Sequence, residues 1–357
     1  MSAATEPRAE LGARMERYRP LVEAEMREVV GAAPVELFGW MRYHLGWEDE
    51  DGRALDGSSG KLLRPAALLL AVELVGGEAQ PAAPAAAAVE LVHAFSLLHD
   101  DVEDESRLRR ERPALWTLAG PAQAINTGDG MHTLARLAMH RLAENGHTER
   151  RVLEAMRELD EGCLRLVEGQ YLDISFERRA DVGTREYLTM AAGKTAAMFA
   201  APFAMGALLG GADGHVVAAF RQLGVRLGIA FQAVDDVLGA WGDPRVTGKP
   251  AGDDLRTRKK SYPVVWALEA GADRDADAVR ELARAYASPP PAEGLAADAE
   301  ATHLAALVER AGGREAALRL AEEESAAALA ALSSAGIGPE AVALCRAFAE
   351  AVTGRES

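Results

Sequence analysis

"VELVHAFSLLHDDVEDESRLRRERP", residues 89–113, decides how the rest of the chain is read. Its first half is apolar at helical spacing: Val89, Val92, Phe95 and Leu97 lead into Asp100 with no Gly or Pro to break the run. Its second half packs five carboxylates into Asp100–Glu105 and four arginines into Arg107–Arg112. On a helix, residues four apart lie on nearly the same side, so Asp100 and Asp104 form a carboxylate pair one turn apart, with Asp101 alongside. Like charges so placed repel. A hard divalent cation that prefers oxygen donors is a natural compensator, and Mg2+ takes one or two protein carboxylates while water and phosphate oxygens fill its other positions. Taken alone, the pair reads as the solvated acidic end of a helix. The apolar run before it and the arginines behind it, within reach of an anion, favour a site.

The same pattern returns at "FQAVDDVLGAWGDPRVTGKPAGDDLRTRKKSYP", residues 231–263. An apolar helix again ends in paired aspartates, Asp235 and Asp236, trailed by Lys249, Arg258, Lys259 and Lys260. Two such pairs read as two walls of one metal-diphosphate site, a far more specific pattern than either half.

Outward from these segments the chain reads as helices throughout. Helical spacing and Gly/Pro punctuation predict helices at Glu10–Val30 after a frayed tail to about residue 8, Pro34–Leu45, Lys61 to Gly76, and Ala85–Glu105. A polar loop at 47–60 and a Pro/Ala link at Gln80–Pro84 separate these elements. Further helices are expected at Gly128–Glu144, Thr148–Glu177, Thr184–Leu209, Asp213–Leu238, Lys260–Gly271, Asp275–Ala287, Ala296–Ala311, Arg314–Ser334 and Pro339–Val352. No break is long enough for an interdomain linker, and no solenoid repeat is evident. The expectation is an all-α, single-domain bundle around a central cavity, with residues 1–50 as a helical extension packed on a catalytic domain at 51–357.

Composition agrees. Of 357 residues, 49% are apolar and only 5% aromatic, a mixture dominated by helix formers. Fifty-five acidic against 39 basic residues give a net charge of -16, which repels nucleic acid and anionic lipid but leaves room for a local cationic cluster around a small anion. Cys163 and Cys345 show no metal-type spacing and suggest no disulfide framework, which fits a cytoplasmic location. The N-terminus has no apolar stretch of signal-peptide type, and no run of about 18 uncharged apolar residues occurs, so no stable membrane insertion is expected.

The two aspartate motifs resemble those of the trans-isoprenyl diphosphate synthases of the polyprenyl synthetase family, most closely the short-chain geranylgeranyl and farnesyl diphosphate synthases. That family carries DDxxD followed by RRxxP, here Asp100-Asp101-Val-Glu-Asp104 and Arg109-Arg110-Glu-Arg-Pro113. Its second DDxxD, followed by GKxxGxD, appears as Asp235-Asp236-Val-Leu-Gly239 and Gly248-Lys249-Pro-Ala-Gly252-Asp-Asp254. The GKxxRP element is "GKLLRP" with Lys61 and Arg64, and His93 falls seven residues before Asp100, where the family has Gln or His. GQxxD appears as Gly169, Gln170 and Asp173, the KT pair as Lys194-Thr195, and the FQ pair as Phe231-Gln232. Singly, Lys194-Thr195 or Gln170 would be helix-surface residues and His93 a satisfied core histidine. Together they occur in the family's order and spacing.

The resemblance implies an Mg2+-dependent prenyltransferase that joins isopentenyl diphosphate to an allylic diphosphate, working as a homodimer. Asp100, Asp104 and Asp235 would hold several magnesium ions, with Asp101 and Asp236 supporting. Arg109, Lys194, Thr195, Gln232, Lys249 and Lys259 would contact the allylic diphosphate. Lys61, Arg64, His93 and Arg110 would seat isopentenyl diphosphate, and Gln170 and Phe231 would help bind substrate. An aromatic residue five before the first aspartate blocks long chains in the family; Phe95, with small Ser96 beside it, favours a C20 over a C15 product. Gly239 replaces an expected aspartate, and Leu62 and Glu111 replace residues that are often Arg and Gly. Arg165, Arg178 and Arg179 fit no motif and read as surface charge. A class I terpene cyclase of the same fold, which needs no isopentenyl diphosphate pocket, and a catalytically silent subunit, suggested by Gly239, are the rival readings.

Overall fold

A computed structural model describes residues 5–55, 60–242, 252–291 and 294–354. Within them the chain is helical apart from one small hairpin and an isolated bridge between Glu48 and Ala54. The order is α1 (Thr5–Val30), α2 (Glu36–His44), α3 (Leu63–Leu74), α4 (Ala79–Glu103), β1 (Leu108–Arg109), β2 (Arg112–Pro113), α5 (Leu115–Ala119), α6 (Pro121–Glu144) and α7 (Glu149–Glu177). There follow α8 (Thr184–Ala191), a π turn (Ala192–Ala196), α9 (Ala197–Leu209) and α10 (Gly214–Trp241). The remainder is α11 (Asp253–Arg256), α12 (Tyr262–Ala270), α13 (Ala272–Tyr286), α14 (Leu295–Arg310), α15 (Gly313–Ser334) and α16 (Pro339–Val352).

Several boundaries differ from those expected, each for a local reason. The N-terminal helix already starts at Thr5, so residues 5–8 are not a frayed tail. The Pro/Ala link at 80–84 is helical: Pro81 lies in the first turn of α4, where a missing N–H goes unnoticed, and only the buried Pro84 removes a helical hydrogen bond. The α6 helix begins at Pro121, seven residues before Gly128, because proline at its first position has φ preset for a helix. The helices expected from Lys61 and Lys260 begin two residues later, at Leu63 and Tyr262. The segment Thr184–Leu209 is two α-helices joined through the π turn rather than one helix.

The chain divides into two compact units. The first comprises Met1–Cys163, Met198–Arg221 and Leu332–Phe348. Its centre is α4, whose residues Ala82–Val92 are almost entirely buried, packed against α3, α6 and α1. Alanine keeps the α4 surface narrow, and apolar burial drives the packing at roughly 25 cal/mol per Å2. Phe203 meets Phe220 at 6.3 Å and Phe348 at 5.5 Å in the same unit. Arg14, Arg17 and the Tyr18 hydroxyl all donate to Glu73, which ties α1 to α3.

The second unit comprises Leu164–Ala197, Gln222–Ala331 and Ala349–Ser357. One apolar cluster there joins Leu255, Val264, Leu282, Leu304 and Val308, and another joins Phe176, Tyr187, Met190, Val237 and Tyr262. Two helical stretches, Ala79–Glu103 and Thr184–Leu209, are long and apolar enough to cross a membrane, but most of each is buried inside the protein.

Candidate active site

In the first unit, α4 carries the first aspartate motif out of the core. Asp104 caps the helix rather than lying within it, and its N–H donates to the Asp100 carbonyl at 2.8 Å, so the two acids stay one turn apart. Asp100 is half-buried and Asp104 exposed, whereas Asp101 is 1% exposed. The Arg109 guanidinium donates from Nε and Nη2 to Asp101 Oδ1 at 2.9 and 2.5 Å. Arg109, expected at the diphosphate, is thus held by its own motif. The hairpin that delivers it turns through Arg110 (φ 53°) and Glu111 (φ 63°), both left-handed. Such a turn favours glycine, so Glu111 in place of the more usual Gly carries about 1 kcal/mol of backbone strain. Arg112 is structural, donating to the Tyr43 and Glu48 carbonyls and lying over the Tyr43 ring.

Behind the motif lies the expected isopentenyl diphosphate group. Lys61 is exposed, Arg64 lies over the Phe199 ring at 5.0 Å, and its Nη1 comes within 3.4 Å of His93 Nε2. Burial, then Arg64 and Arg110, hold His93 well below its ordinary pKa, so the ring is neutral near pH 7. Two groups missed in the sequence share this neighbourhood. Burial and the field of Arg110 push His44 down to about 3. Burial lifts Glu90 up to about 7 against the fields of Arg64, Arg110 and Arg19. A lone carboxylate in an alanine-rich run, one turn before His93, was the available signal for Glu90. Phe95 is buried and meets His132 of α6 edge-on at 5.1 Å and His99 at 5.5 Å. Ser96 turns its hydroxyl back to the His93 carbonyl at 2.8 Å.

The second unit builds its motif on α10, and again the second aspartate is the buried one. Asp235 is exposed; Asp236 is 1% exposed and accepts from Tyr187 Oη (2.5 Å), the Tyr262 N–H (2.6 Å) and Gln232 Nε2 (2.9 Å). Burial raises Asp236 to about 7, with Lys259 pulling the other way. Gln232 in turn accepts from the Thr195 hydroxyl at 2.5 Å. Lys194 pairs with Asp173 at 2.5 Å, joining the KT and GQxxD elements. Burial works against the Lys259 ammonium, but the fields of Asp254, Asp236, Asp173 and Asp235 outweigh it and raise its pKa. Gln170 and Phe231 are half-buried, and Lys249 lies outside the described residues.

Glycines explain how Lys194 and Thr195 reach these partners. A Cβ on Gly169 would lie 2.0 Å from the Lys194 nitrogen, and one on Gly193 2.7 Å from the Arg165 carbonyl oxygen. The π turn therefore packs backbone to backbone on α7, and a residue with any side chain would force the two apart. On the other side Gly228 of α10 approaches Ala196 as closely. Arg165 and Arg178 are exposed, as expected, and half-buried Arg179 pairs with Glu186 and Asp181.

The donor set suits a hard cation: both inner aspartates accept from protein donors, and the other motif acids, Asp100, Asp104 and Asp235, are carboxylates, the oxygen ligands that Mg2+ prefers. No group of three or more His, Cys, Asp or Glu side chains placed to hold a metal ion is found among the described residues. A family model described as polyprenyl synthetase matches residues 52–293, which take in every motif above. The chain belongs to the polyprenyl synthetase family. Over 337 residues this polyprenyl synthetase is 42% identical to a Mycobacterium tuberculosis protein named geranylgeranyl diphosphate synthase, covering 94% of the chain and 93% of the relative. A Mycobacterium bovis protein named (2E,6E)-farnesyl diphosphate synthase is also 42% identical, over 294 residues, 82% of this chain and 79% of that one. The crystal structure of polyprenyl synthetase from Streptomyces coelicolor A3(2) matches with a TM-score of 0.87 at 39% identity, covering 96% of this chain and 99% of that one.

Proposed function

We propose that this polyprenyl synthetase condenses isopentenyl diphosphate with an allylic diphosphate and releases geranylgeranyl diphosphate, the C20 product. The observation that carries the reading is the shared build of the two motifs. In each the inner acid, Asp101 or Asp236, is buried and hydrogen-bonded, while Asp100 is half-buried and Asp104 and Asp235 are exposed, and these three would be the acids that hold Mg2+. Bound there, Mg2+ would neutralise charge growing on the departing diphosphate. Lys194, Thr195, Gln232, Lys249 and Lys259 bind that diphosphate, and Arg109, positioned by Asp101, completes the set. Lys61, Arg64, His93 and Arg110 seat isopentenyl diphosphate, and neutral His93 donates a hydrogen bond without adding a charge. The allylic C–O bond breaks, the homoallylic double bond of the second substrate attacks the carbocation, and loss of a proton restores an alkene. No protein nucleophile is required. Phe95, backed by His132, supports a short product by closing the path below Asp100.

We propose a homodimer as the working state. Leu164, Val167, Tyr171 and Ile174 recur every three or four residues along α7, all exposed, Tyr171 by 73%. Such a stripe on a helix is a surface to be covered, and a second copy of the chain is the partner the family resemblance implies.

The decisive experiment incubates the purified protein with Mg2+, labelled isopentenyl diphosphate and each of the C5, C10 and C15 allylic diphosphates. A labelled C20 diphosphate is expected. A C15 end product would replace this reading with farnesyl diphosphate synthesis, the activity named for an equally identical relative. Unlabelled hydrocarbon from the allylic substrate would favour the cyclase, and no turnover the silent subunit.

A further inference from the structure

The N-terminal helix α1 reaches the isopentenyl diphosphate group through one side chain. Arg19 Nη2 donates to the Gly60 carbonyl at 2.9 Å, while its Nη1 donates to Glu23, one turn further along α1, at 3.2 Å. Gly60 directly precedes Lys61, and the loop is left-handed on both sides of that lysine: Gly60 has φ 80° and Leu62 φ 50°. Glycine adopts this region freely, but a leucine there must be held by its surroundings. Leu62 is 6% exposed and lines a small cavity with Met15, Tyr18, Arg19 and Val22 of α1, whereas Lys61 is exposed. Gly60 also meets the hairpin: a Cβ built on it would lie 3.0 Å from Arg110 Nη2 and 3.3 Å from its Cζ. Arg19 shares the electrostatic neighbourhood of this group, since it, Arg64 and Arg110 are the cations whose fields act on the buried Glu90 carboxyl.

We infer that Arg19 is a positioning residue for the isopentenyl diphosphate seat: by holding the Gly60 carbonyl it fixes the loop that presents Lys61 and the peptide against which the Arg110 guanidinium rests. The inference rests on the reading of Lys61, Arg64 and Arg110 as that seat. It gives α1 a part in substrate binding without any contact to the diphosphate. Removing Arg19 releases a loop whose left-handed residues have other conformations to occupy. Lys61 and Arg110 then meet the diphosphate only once that loop is ordered again, and the ordering cost appears as lost affinity. Tyr18, the neighbouring residue on α1, serves as the contrast: its hydroxyl ties α1 to Glu73 of α3 at 2.7 Å, away from the loop.

The test titrates isopentenyl diphosphate into the full chain by calorimetry with no allylic substrate present, so that nothing turns over, and records the urea midpoint of each variant. Arg19→Ala is expected to weaken binding about tenfold, the scale of one charge-assisted hydrogen bond. Alanine is the best helix former and Arg19 is half-buried, so α1 should persist in that variant. Arg19→Lys, which keeps a charged donor, should recover part of the loss. Tyr18→Phe should lower the urea midpoint and leave the affinity as it was. Unchanged affinity in Arg19→Ala overturns the positioning role; so does an equal loss in Tyr18→Phe, which would make the docking of α1 as a whole responsible. Arg64→Ala is the control. A loss there beside an unmoved Arg19→Ala sinks the positioning role alone, whereas unmoved binding in Arg64→Ala, or no binding by the unchanged protein, removes the seat itself and the role of Arg19 with it.

Discussion

The two aspartate motifs bury their inner acid equally deeply and satisfy it in opposite ways. Asp101 is met by a full positive charge, the Arg109 guanidinium; Asp236 is met by neutral donors, a tyrosine hydroxyl, a backbone N–H and an amide. A guanidinium meets the carboxylate in a charge pair that carries its own desolvation cost. Neutral donors leave burial dominant, and Asp236 rises to about 7. The same acid pattern thus yields a charge lock in one unit and a near-neutral hydrogen-bond hub in the other.

Removing the charge from each inner acid is the strongest way to break this comparison. Asp101→Asn should cost about 3 kcal/mol of stability, because Arg109 loses its counter-charge against a buried partner. Asp236→Asn should cost about 1 kcal/mol near neutral pH, where that carboxyl is already partly protonated. Urea midpoints decide it, and equal losses would sink the distinction. Next comes a close glycine contact within the second unit: Gly169→Ala should cost about 2 kcal/mol by forcing α7 off the π turn, and should lower turnover through the displaced Lys194. Unchanged stability would show that the backbones separate freely.

The first unit has a lifted carboxyl of its own, which sharpens the contrast. Glu90 is raised from 4.5 to about 7, so the folded chain keeps this proton where the unfolded chain has lost it. Stability from this group is therefore greatest in acid, falls as pH rises from about 4.5 to about 7, and is level above. Glu90→Gln should flatten that fall by ~2 kcal/mol in urea titrations at pH 5 and pH 8; a wild-type slope that survives the substitution would place the effect elsewhere. At the small end, Arg178→Ala on the exposed end of α7 should change stability by less than about 0.5 kcal/mol.

How much of this was legible in the sequence depends on the distance between partners. Helical spacing of Val89, Val92 and Phe95 placed Asp100 on a helix, because the periodicity is local. The motif residues were legible as residue types at fixed offsets. What fixes them was not: Tyr187 and Tyr262 reach Asp236 from 49 and 26 residues away, and nothing in either segment marks a hydrogen-bond partner. Asp254 stood inside a quoted motif, yet its place against Gly239 follows only from the fold. The hairpin at 108–113 escaped because Arg110 and Glu111 are poor residues for its left-handed turn. Pro81 and Pro84 misplaced the start of α4 because a proline near the first turn reads in sequence like a break.

The π turn at Ala192–Ala196 acts as a phase shifter. An α-helix advances about 100° per residue, so one extra residue in a turn rotates everything downstream by that amount relative to an unbroken helix. The segments on either side therefore obey two different angular registers: α8 directs Tyr187 to Asp236, while α9 is free to present its apolar residues on an independent bearing. Lys194 and Thr195 occupy the turn where the registers change, a bearing that neither helix would have given them. Deleting one residue there would leave the composition and hydrophobicity of the segment almost untouched and still misdirect every side chain beyond it.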